Sequence, residues 1–501
     1  MRRPRTTTAA ACGALLTTVA LAGCSLVEDR YAEESRSSPV TSPSETTGEP
    51  DPSPEPEPEG DLGLDVAVSE PREDSYYPKV GDPSVDALHY DLTLDWDPET
   101  DTLTGTEVLT FRSTTTGPQF QLDFGQPLTV ETLTLDGEEV PFEESGKNLV
   151  VTADVVEDQR YELELAYAGT PAPVPVPTKR SDFSGTGFTV TETHETWTMQ
   201  EPYGAFTWYA VNDQPSDKAL YDFTLSVPSP WVGVANGALE SRTDDDGLTT
   251  TEFSLDDPAA SYLTTVAFGD FEMTEDVSAS GVPITYWVNR SAAPGILRDL
   301  QVTPEAMAWL ENLLGPYPFD TFGMVVVDSE SGMETQTMVT LGDTEYTTSA
   351  PVVLHELAHQ WYGDTVTPDD WRDVWMNEGM AMYLQGMWEA EHDGGTIDEV
   401  MDGYALWEVT ERLTAGPPAD YDRESFGASN IYYGPALMWH ELRQQIGDER
   451  FFEVVRAWPE ANTNGNAGRD DYLPWLEEQT GEELTEFFDA WLLGEVTPPR
   501  D

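Results

Sequence analysis

Alternating apolar and polar residues run through the first half of the chain. In HYDLTLDWD, every second position from Tyr90 to Trp96 is apolar, and RYELELAY, residues 160–167, repeats this pattern. A period of two places alternate side chains on one face of a strand, so each segment is expected to be half-buried. The turn sequences LDGEE and DDDGL separate such segments. The pattern predicts a largely antiparallel, sandwich-like β domain over residues 76–285.

The second half has the period of helices. TPEAMAWLENLL begins with Thr303 and Pro304, a helix-start signal, and VVLHELAHQWYGD, WRDVWMNEGMAMYLQGMWEAEH and YYGPALMWHELRQQIG are further helix candidates. FGMVVVD, residues 322–328, predicts a short buried strand. We therefore expect a mostly helical domain with a small mixed sheet over residues 286–501, and an α+β multidomain protein as a whole.

The first 75 residues follow neither pattern. MRRPR precedes a short apolar stretch that ends in Leu-Ala-Gly-Cys, which is typical of a secretory signal peptide and resembles a bacterial lipobox with Cys24 as the lipidated residue. Residues 1–24 are thus predicted to be a lipoprotein signal peptide. Residues 25–75 are rich in Pro, Ser and Glu and predict a disordered tether. The expected location is the extracellular face of a bacterial membrane, held there through the lipid anchor alone.

Composition limits the possible partners. The 501 residues carry a formal net charge of −70, which would repel nucleic acid and anionic membrane surfaces. Hydrophobic residues make up 39% of the chain, enough to fill substantial cores. Since Cys12 and Cys24 are the only cysteines, no disulfide framework is expected.

The segment HELAHQWYGD holds the most distinctive chemistry. His355 and His359 are four residues apart, so a helix presents both on one face, where they can bind one ion, with Glu356 beside them. A helix that simply buries two histidines would show the same pattern. A catalytic zinc takes three protein ligands, and the candidate third is Glu378, whose apolar neighbours in WMNEGMAMY make an unpartnered carboxylate costly.

HELAHQWYGD followed by WMNEGMA resembles the zinc aminopeptidase-N-like family of gluzincins, whose pattern is H-E-x-x-H, eighteen residues, and then E. YDLTLDWDPETDTLTGTEVLTF is similar to the family's opening strands, and MQEPYGAFTWYAVNDQPSDKALYDFTLSVP to its substrate-anchor segment. GPYPFDTFGMVVVD is similar to the strand that enters its catalytic domain. The resemblance implies a thermolysin-like catalytic domain with one Zn²⁺ per chain, held by His355, His359 and Glu378.

The same resemblance implies roles for further residues. Glu356 would be the general base that activates the hydrolytic water. In SNIYYGPALM, Tyr432 matches the tyrosine that stabilises the oxyanion, with Pro435 in place of a glycine and Tyr433 as the neighbour that could be confused with it.

Recognition of a free amino terminus is expected to come from two carboxylates. Glu334 in SGMET matches the family's amine-binding glutamate, and Glu201 in MQEPYG matches its second anchor, with Gln200 as the adjacent alternative. Gly332 and Met333 would offer backbone groups to the substrate.

The expected activity is removal of N-terminal residues from peptides outside the cell. Two departures from the family pattern bear on this expectation. SGMET differs from the family's G-x-M-E-N motif, and only about 120 residues follow Glu378, so no long C-terminal helical domain is expected and the site would be more open. A zinc endopeptidase or another hydrolase with an open site, and a non-catalytic zinc-binding scaffold lipoprotein, therefore remain alternatives.

Overall fold

The computed structural model of the protein describes residues 63–183 and 185–500. The predicted signal peptide, Cys24 and the tether up to residue 62 lie outside the described residues. Within the described ranges, no helix combines the length and the apolar character needed to cross a bilayer.

The strands and helices follow one another in chain order. The strands of the first half are β1 Val85–Asp97, β2 Thr102–Ser113, β3 Phe120–Asp123, β4 Thr129–Leu135, β5 Glu138–Glu139, β6 Phe142–Ser145, β7 Asn148–Val151, β8 Arg160–Gly169, β9 Val174–Pro175, β10 Gly185–Val190, β11 Thr196–Met199, β12 Lys218–Pro228, β13 Val232–Ala235, β14 Ala238–Asp245, β15 Leu248–Ala260 and β16 Val266–Gly269. The later strands are β17 Phe271–Val277, β18 Pro283–Asn289, β19 Phe322–Val327, β20 Gly332–Met333, β21 Met338–Gly342, β22 Val366–Thr367 and β23 Gly465–Asn466. The helices are α1 Ile296–Leu300, α2 Thr303–Leu314, α3 Ala350–His359, α4 Trp375–Asp393, α5 Ile397–Ala415, α6 Asn430–Ile446, α7 Asp448–Ala461, α8 Arg469–Thr480 and α9 Thr485–Leu492.

The first half consists of sheets stacked over one apolar core. An eight-stranded sheet has the order β14-β15-β12-β1-β2-β8-β4-β5, antiparallel except for the parallel pair β1–β12. A five-stranded sheet, β13-β16-β11-β10-β9, approaches it so closely that a Cβ added at Gly233 of β13 would lie 2.4 Å from Leu225 Cβ of β12. The alternating residues of β1 supply the buried face, with Leu92 and Leu94 fully buried.

A separate, mixed sheet leads into the helical half. Its order is β17-β18-β19-β21-β20, with β18, β19 and β21 parallel to one another. The short strand β20 pairs antiparallel with β21 and forms one edge of the sheet. Two sandwiched β sheets followed by helices around a small mixed sheet confirm the predicted α+β class. The domain boundary predicted at residue 285 falls inside β18, whose pairing joins it to the later sheet.

The segment before β1 is attached to the sheet by the buried side chains of Leu64 and Ala67. Leu64–Ala67 forms one 3-10 turn, and Leu64 and Ala67 are buried against Leu88 of β1. The tether predicted to extend to residue 75 thus includes a described, packed segment, because two apolar side chains suffice to attach it to the sheet.

Helix α4 packs against both α3 and α6, and these three helices carry the candidate metal ligands and Tyr432. Pro351 lies in the first turn of α3, where its missing N–H requires no partner. After His359 the chain forms one wide turn, Gln360–Asp364, in which the helical path breaks at Tyr362 and at Gly363, where φ is 137°. Helices α4 and α6 approach closely at Gly379, where an added Cβ would lie 2.3 Å from Pro435 Cβ.

Candidate active site

Two helices bring together the three predicted metal ligands. His355 and His359 lie one turn apart on α3, and Glu378 lies in the first turn of α4. The Oε2 atom of Glu378 is 3.3 Å from His355 Nε2 and 3.4 Å from His359 Nε2. All three side chains are buried. The sequence spacing therefore translates into one compact N, N, O cluster.

The ring of His359 is oriented by the backbone that follows it. Its Nδ1 atom lies 3.1 Å from the carbonyl oxygen of Tyr362. A carbonyl can only accept, so Nδ1 donates the proton and Nε2 is directed at Glu378, the arrangement usual for a metal-binding histidine. The wide turn after α3 supplies this carbonyl, because a regular helix would use it within its own ladder.

The electrostatics of the cluster suit a cation. Burial by itself raises the pKa of Glu378, but hydrogen bonds with His355 and His359 outweigh burial and hold that pKa well below its usual range. Burial also lowers the pKa of His359, yet the charges of Glu334 and Glu378 raise it well above the usual range. The cluster thus favours positive charge at this point, which a divalent ion would supply.

The donor set fits zinc. The ligand atoms of His355, His359 and Glu378 all lie within 4.8 Å of one another. Two imidazole nitrogens and one carboxylate oxygen are a ligand set found in catalytic zinc sites, which leave the fourth position open. Nδ1 of His355 is buried and has no hydrogen-bond partner among the described residues, and Nε2 faces Glu378.

Glu356 lies beside this triad. It is buried on α3 and faces the edge strand β20, since a Cβ added at Gly332 would lie 2.8 Å from Glu356 Oε1. Burial, with the nearby charge of Glu334, raises the pKa of Glu356 to about 8. A carboxyl group with a raised pKa accepts and releases protons near neutral pH.

Two more carboxylates converge on the same point. Ligand atoms of Glu201, Glu334 and Glu378 lie within 4.8 Å of one another, and one oxygen of Glu201 and one of Glu334 are buried without a hydrogen-bond partner in the described structure. Burial, with the neighbouring acids Glu334 and Glu378, raises the pKa of Glu201 well above its usual range. The adjacent Gln200 is committed elsewhere: its Nε2 donates to Ser261 O at 3.1 Å.

Tyr432 faces the histidines from α6. Its ring lies 6.1 Å from that of His355, centroid to centroid. The neighbouring Tyr433 packs instead on Tyr404 of α5, with ring centroids 4.9 Å apart. The two consecutive tyrosine side chains thus point in different directions from α6, and Tyr432 is the one beside the predicted metal ligands.

The predicted metal ligands, Glu356, the two predicted amine-binding glutamates and Tyr432 all line one cavity of about 450 Å³. The sequence-predicted residues that line it are Glu201, Gly332, Met333, Glu334, His355, Glu356, His359, Glu378 and Tyr432. Cys24, the predicted lipidation site, lies outside the described residues.

The cavity also contains Arg180, which sequence reasoning missed. The guanidinium forms a fork with Asp182, through Nε at 3.2 Å and Nη2 at 2.6 Å, and its Nη1 lies 3.4 Å from Tyr432 Oη. Lys179 lines the same cavity. Both residues lie in the irregular segment after β9, where no periodicity singles them out. The one available signal was a pair of cations, KR, in a very acidic chain.

Known proteins share both halves of this architecture. The Peptidase M1 N-terminal domain matches residues 86–263, and the Peptidase family M1 domain matches residues 298–491. Aminopeptidase N of Streptomyces lividans is 26% identical over 443 residues, which cover 82% of this chain and 50% of the relative. Aminopeptidase M1-A of rice, Oryza sativa, is 29% identical over 325 residues, covering 59% of this chain and 36% of the relative. The chain spans half or less of the length of these curated relatives.

Solved structures agree with the sequence matches. The M1 zinc metallopeptidase of Deinococcus radiodurans superposes with a TM-score of 0.75 at 26% identity, covering 85% of this chain and 98% of that one. A variant of the Deinococcus protein has been solved with a Tyr-Ser-Ala substrate. Two matched domains in the family's order, a common fold and a ligand set suited to zinc agree with one another. The chain therefore belongs to peptidase family M1, a family of zinc metallopeptidases.

Proposed function

We propose that this protein is a zinc-dependent aminopeptidase that removes N-terminal residues from peptides outside the cell. The observation that carries the proposal is the pair Glu201 and Glu334, each with a buried carboxylate oxygen that has no partner among the described residues and lies beside Glu378. A buried carboxylate without a partner is unfavourable, and the ammonium group of a peptide would provide one. The matched relatives are named as aminopeptidases, which supports this reading.

His355, His359 and Glu378 would hold the zinc ion. When bound there, zinc acts as a Lewis acid toward the scissile carbonyl and lowers the pKa of the attacking water. The protein's own groups perform the remaining tasks.

Glu356 takes the proton from the attacking water and delivers it to the leaving amine. Its buried position beside the triad supports both transfers. Tyr432 donates its hydroxyl proton to the oxyanion that develops on the carbonyl oxygen. The ring lies beside His355, which supports this assignment.

Substrate alignment would use the edge strand β20. Gly332 and Met333 pair with β21 on one side and line the cavity on the other. An edge strand offers free backbone groups, so an extended peptide can pair with it. Glu201 and Glu334 then bind the peptide's ammonium group and set the cleavage position one residue from the amino terminus.

Location outside the cell is proposed from the leader sequence. The basic start, the short apolar stretch and the Leu-Ala-Gly-Cys ending support export and lipidation at Cys24. The substrates would then be peptides that reach the extracellular face of the membrane. The lipid anchor would be the protein's contact with that membrane. Growth of the producing cells with radiolabelled palmitate tests this location. We expect the natural protein to become labelled and Cys24→Ala to remain unlabelled.

The test of activity compares a peptide with its N-acetylated form. We expect cleavage of the free peptide only, since acetylation removes the charge that Glu201 and Glu334 bind. Glu356→Gln serves as the control for contaminating peptidases. Equal cleavage of both peptides would contradict an aminopeptidase and indicate an endopeptidase. Zinc retention with no cleavage of either would indicate a scaffold.

A further inference from the structure

The charges around the cavity are unevenly distributed. Its lining residues include seven carboxylates and two Lys or Arg side chains. The two cations, Lys179 and Arg180, are consecutive, although the chain has only 24 Lys and Arg against 94 Asp and Glu. A peptide has the complementary distribution, with a positive amino end and a negative carboxyl end.

Arg180 has donor capacity left over. Asp182 occupies Nε and Nη2 in a fork, whereas among the described residues Nη1 has a single contact, 3.4 Å from Tyr432 Oη, at the long end of the hydrogen-bond range. The side chain is 31% exposed, so a ligand in the cavity can reach it. A guanidinium is the group best suited to bind a carboxylate in two-point geometry.

Lys179 lies nearer the solvent. Its side chain is 63% exposed, and its Nζ lies 2.7 Å from Asp422. This exposed ion pair with Asp422 has no net charge, so Lys179 contributes little to the binding of a carboxylate. Arg180, which retains unused donors, is therefore the cation of the cavity expected to bind one.

The position of Arg180 along the substrate path can be read from the edge strand. Its Nη2 lies 3.4 Å from Ser331 Oγ, one residue before β20, whereas the amine-binding Glu334 lies one residue after it. Three residues of extended chain span about 10 Å, roughly the length of an extended tripeptide. Along the strand, the residue that Arg180 contacts and the amine-binding glutamate are thus separated by about the length of a tripeptide.

We infer that Arg180 binds the C-terminal carboxylate of the substrate, which makes free tripeptides and dipeptides the preferred substrate class. The inference rests on the proposed aminopeptidase function, because it places the peptide with its amino end at Glu201 and Glu334. A longer peptide has its carboxylate beyond the reach of Arg180 and gains nothing from it. The two charged ends of a short peptide would together hold the scissile bond at Tyr432 and the metal ligands.

The test measures kcat/KM for trialanine and for trialanine amide, which share a free amino terminus and differ only in the C-terminal charge. We expect the natural protein to favour the acid about ten- to hundredfold, the value of one hydrogen bond to a charged group. Arg180→Gln should bring the ratio of the two constants close to one. Arg180→Lys keeps the charge without the fork and should give an intermediate ratio.

Asp182→Asn provides a variant with the opposite expectation. Asp182 competes with the substrate for the guanidinium, so its loss of charge should increase the preference for the acid. The matched control is Arg290→Gln, an arginine that pairs with Asp270 outside the cavity and should leave the ratio unchanged.

Three results would overturn the inference. Equal cleavage of acid and amide by the natural protein would do so while leaving the aminopeptidase function intact. An acid preference that persists in Arg180→Gln would place carboxylate recognition elsewhere. Cleavage of neither peptide would overturn the proposed function, and the inference with it.

Discussion

Glu356 lies beside the metal ligands on α3 without being one of them, so its loss should separate catalysis from zinc binding. Replacing it by glutamine keeps the size of the side chain and removes the base. We expect kcat to fall by at least about a hundredfold, with one zinc still bound per chain. Metal analysis and peptide hydrolysis on the same sample test this. Loss of the zinc together with activity would show that Glu356 acts as a ligand.

Tyr432 and Tyr433 form a matched pair for the oxyanion role. Tyr432→Phe removes a hydroxyl beside the metal ligands, and loss of one oxyanion donor should lower kcat about 10²- to 10³-fold with little change in KM. Tyr433→Phe changes a ring that packs on Tyr404 and should remain close to the natural protein. If the two variants lost activity equally, the assignment of Tyr432 would be wrong.

Site residues were predictable where the chemistry depends on local spacing. His355, Glu356 and His359 share one helix, so their relation follows from the helical repeat alone. Arg180 could not be found this way. It reaches Tyr432 across 252 positions of sequence, and that contact depends on how an irregular segment folds over the cavity.

Among the elements, the contact between α4 and α6 controls the relation of Glu378 to Tyr432. Gly379, next to Glu378, has Pro435 so close that an added Cβ would lie 2.3 Å from the proline Cβ. Gly379→Ala must therefore push the helices apart. We expect a loss of about 1–3 kcal/mol in stability, with weaker zinc binding, measured by denaturant unfolding and by competition with a chelator.

The control for this prediction is Gly403→Ala on α5. Among the described residues, no atom outside the local helix backbone lies within 4 Å of the added Cβ, and Gly403 lies inside α5. Alanine should raise stability there by about 0.5–1 kcal/mol, with zinc affinity unchanged. Unaltered zinc affinity in Gly379→Ala would contradict the view that this contact positions Glu378.

The elements themselves were more predictable than their arrangement. Alternation over β1 and the helical period over α2 appear in the structure as predicted, because both reflect local burial. The parallel pairing of β1 with β12 joins Tyr90 to Tyr221, residues 131 positions apart, and no local pattern specifies such a partner. For the same reason, the period alone did not show that β18 belongs to the later sheet.

At the scale of the whole molecule, buried acids and a net charge of −70 oppose the folded state near neutral pH. Burial raises the pKa of Asp74 and of Asp369 to about 6, and that of Asp123 to about 7. Self-repulsion among so many carboxylates is screened by salt, so we expect the melting temperature to rise from low salt to about 0.5 M NaCl. A calorimetric scan with chelator present tests this, and a fall with salt would contradict it.

The raised carboxylate pKa values also predict the direction of the pH dependence. Between the usual aspartate pKa near 4 and about 7, the folded state retains protons on groups such as Asp123 that the unfolded chain has released. Stability then falls as pH rises through this window. We expect a higher melting temperature at about pH 5 than at about pH 8, measured with chelator so that loss of metal does not contribute.

Asp123→Asn should weaken this dependence, because one titrating group is removed. Asp97→Asn should not, because hydrogen bonds from Thr100 and Glu99 lower the pKa of that exposed carboxyl and place its titration below the window. A melting temperature that increased toward pH 8 would mean that the buried acids are ionised in the folded state without penalty.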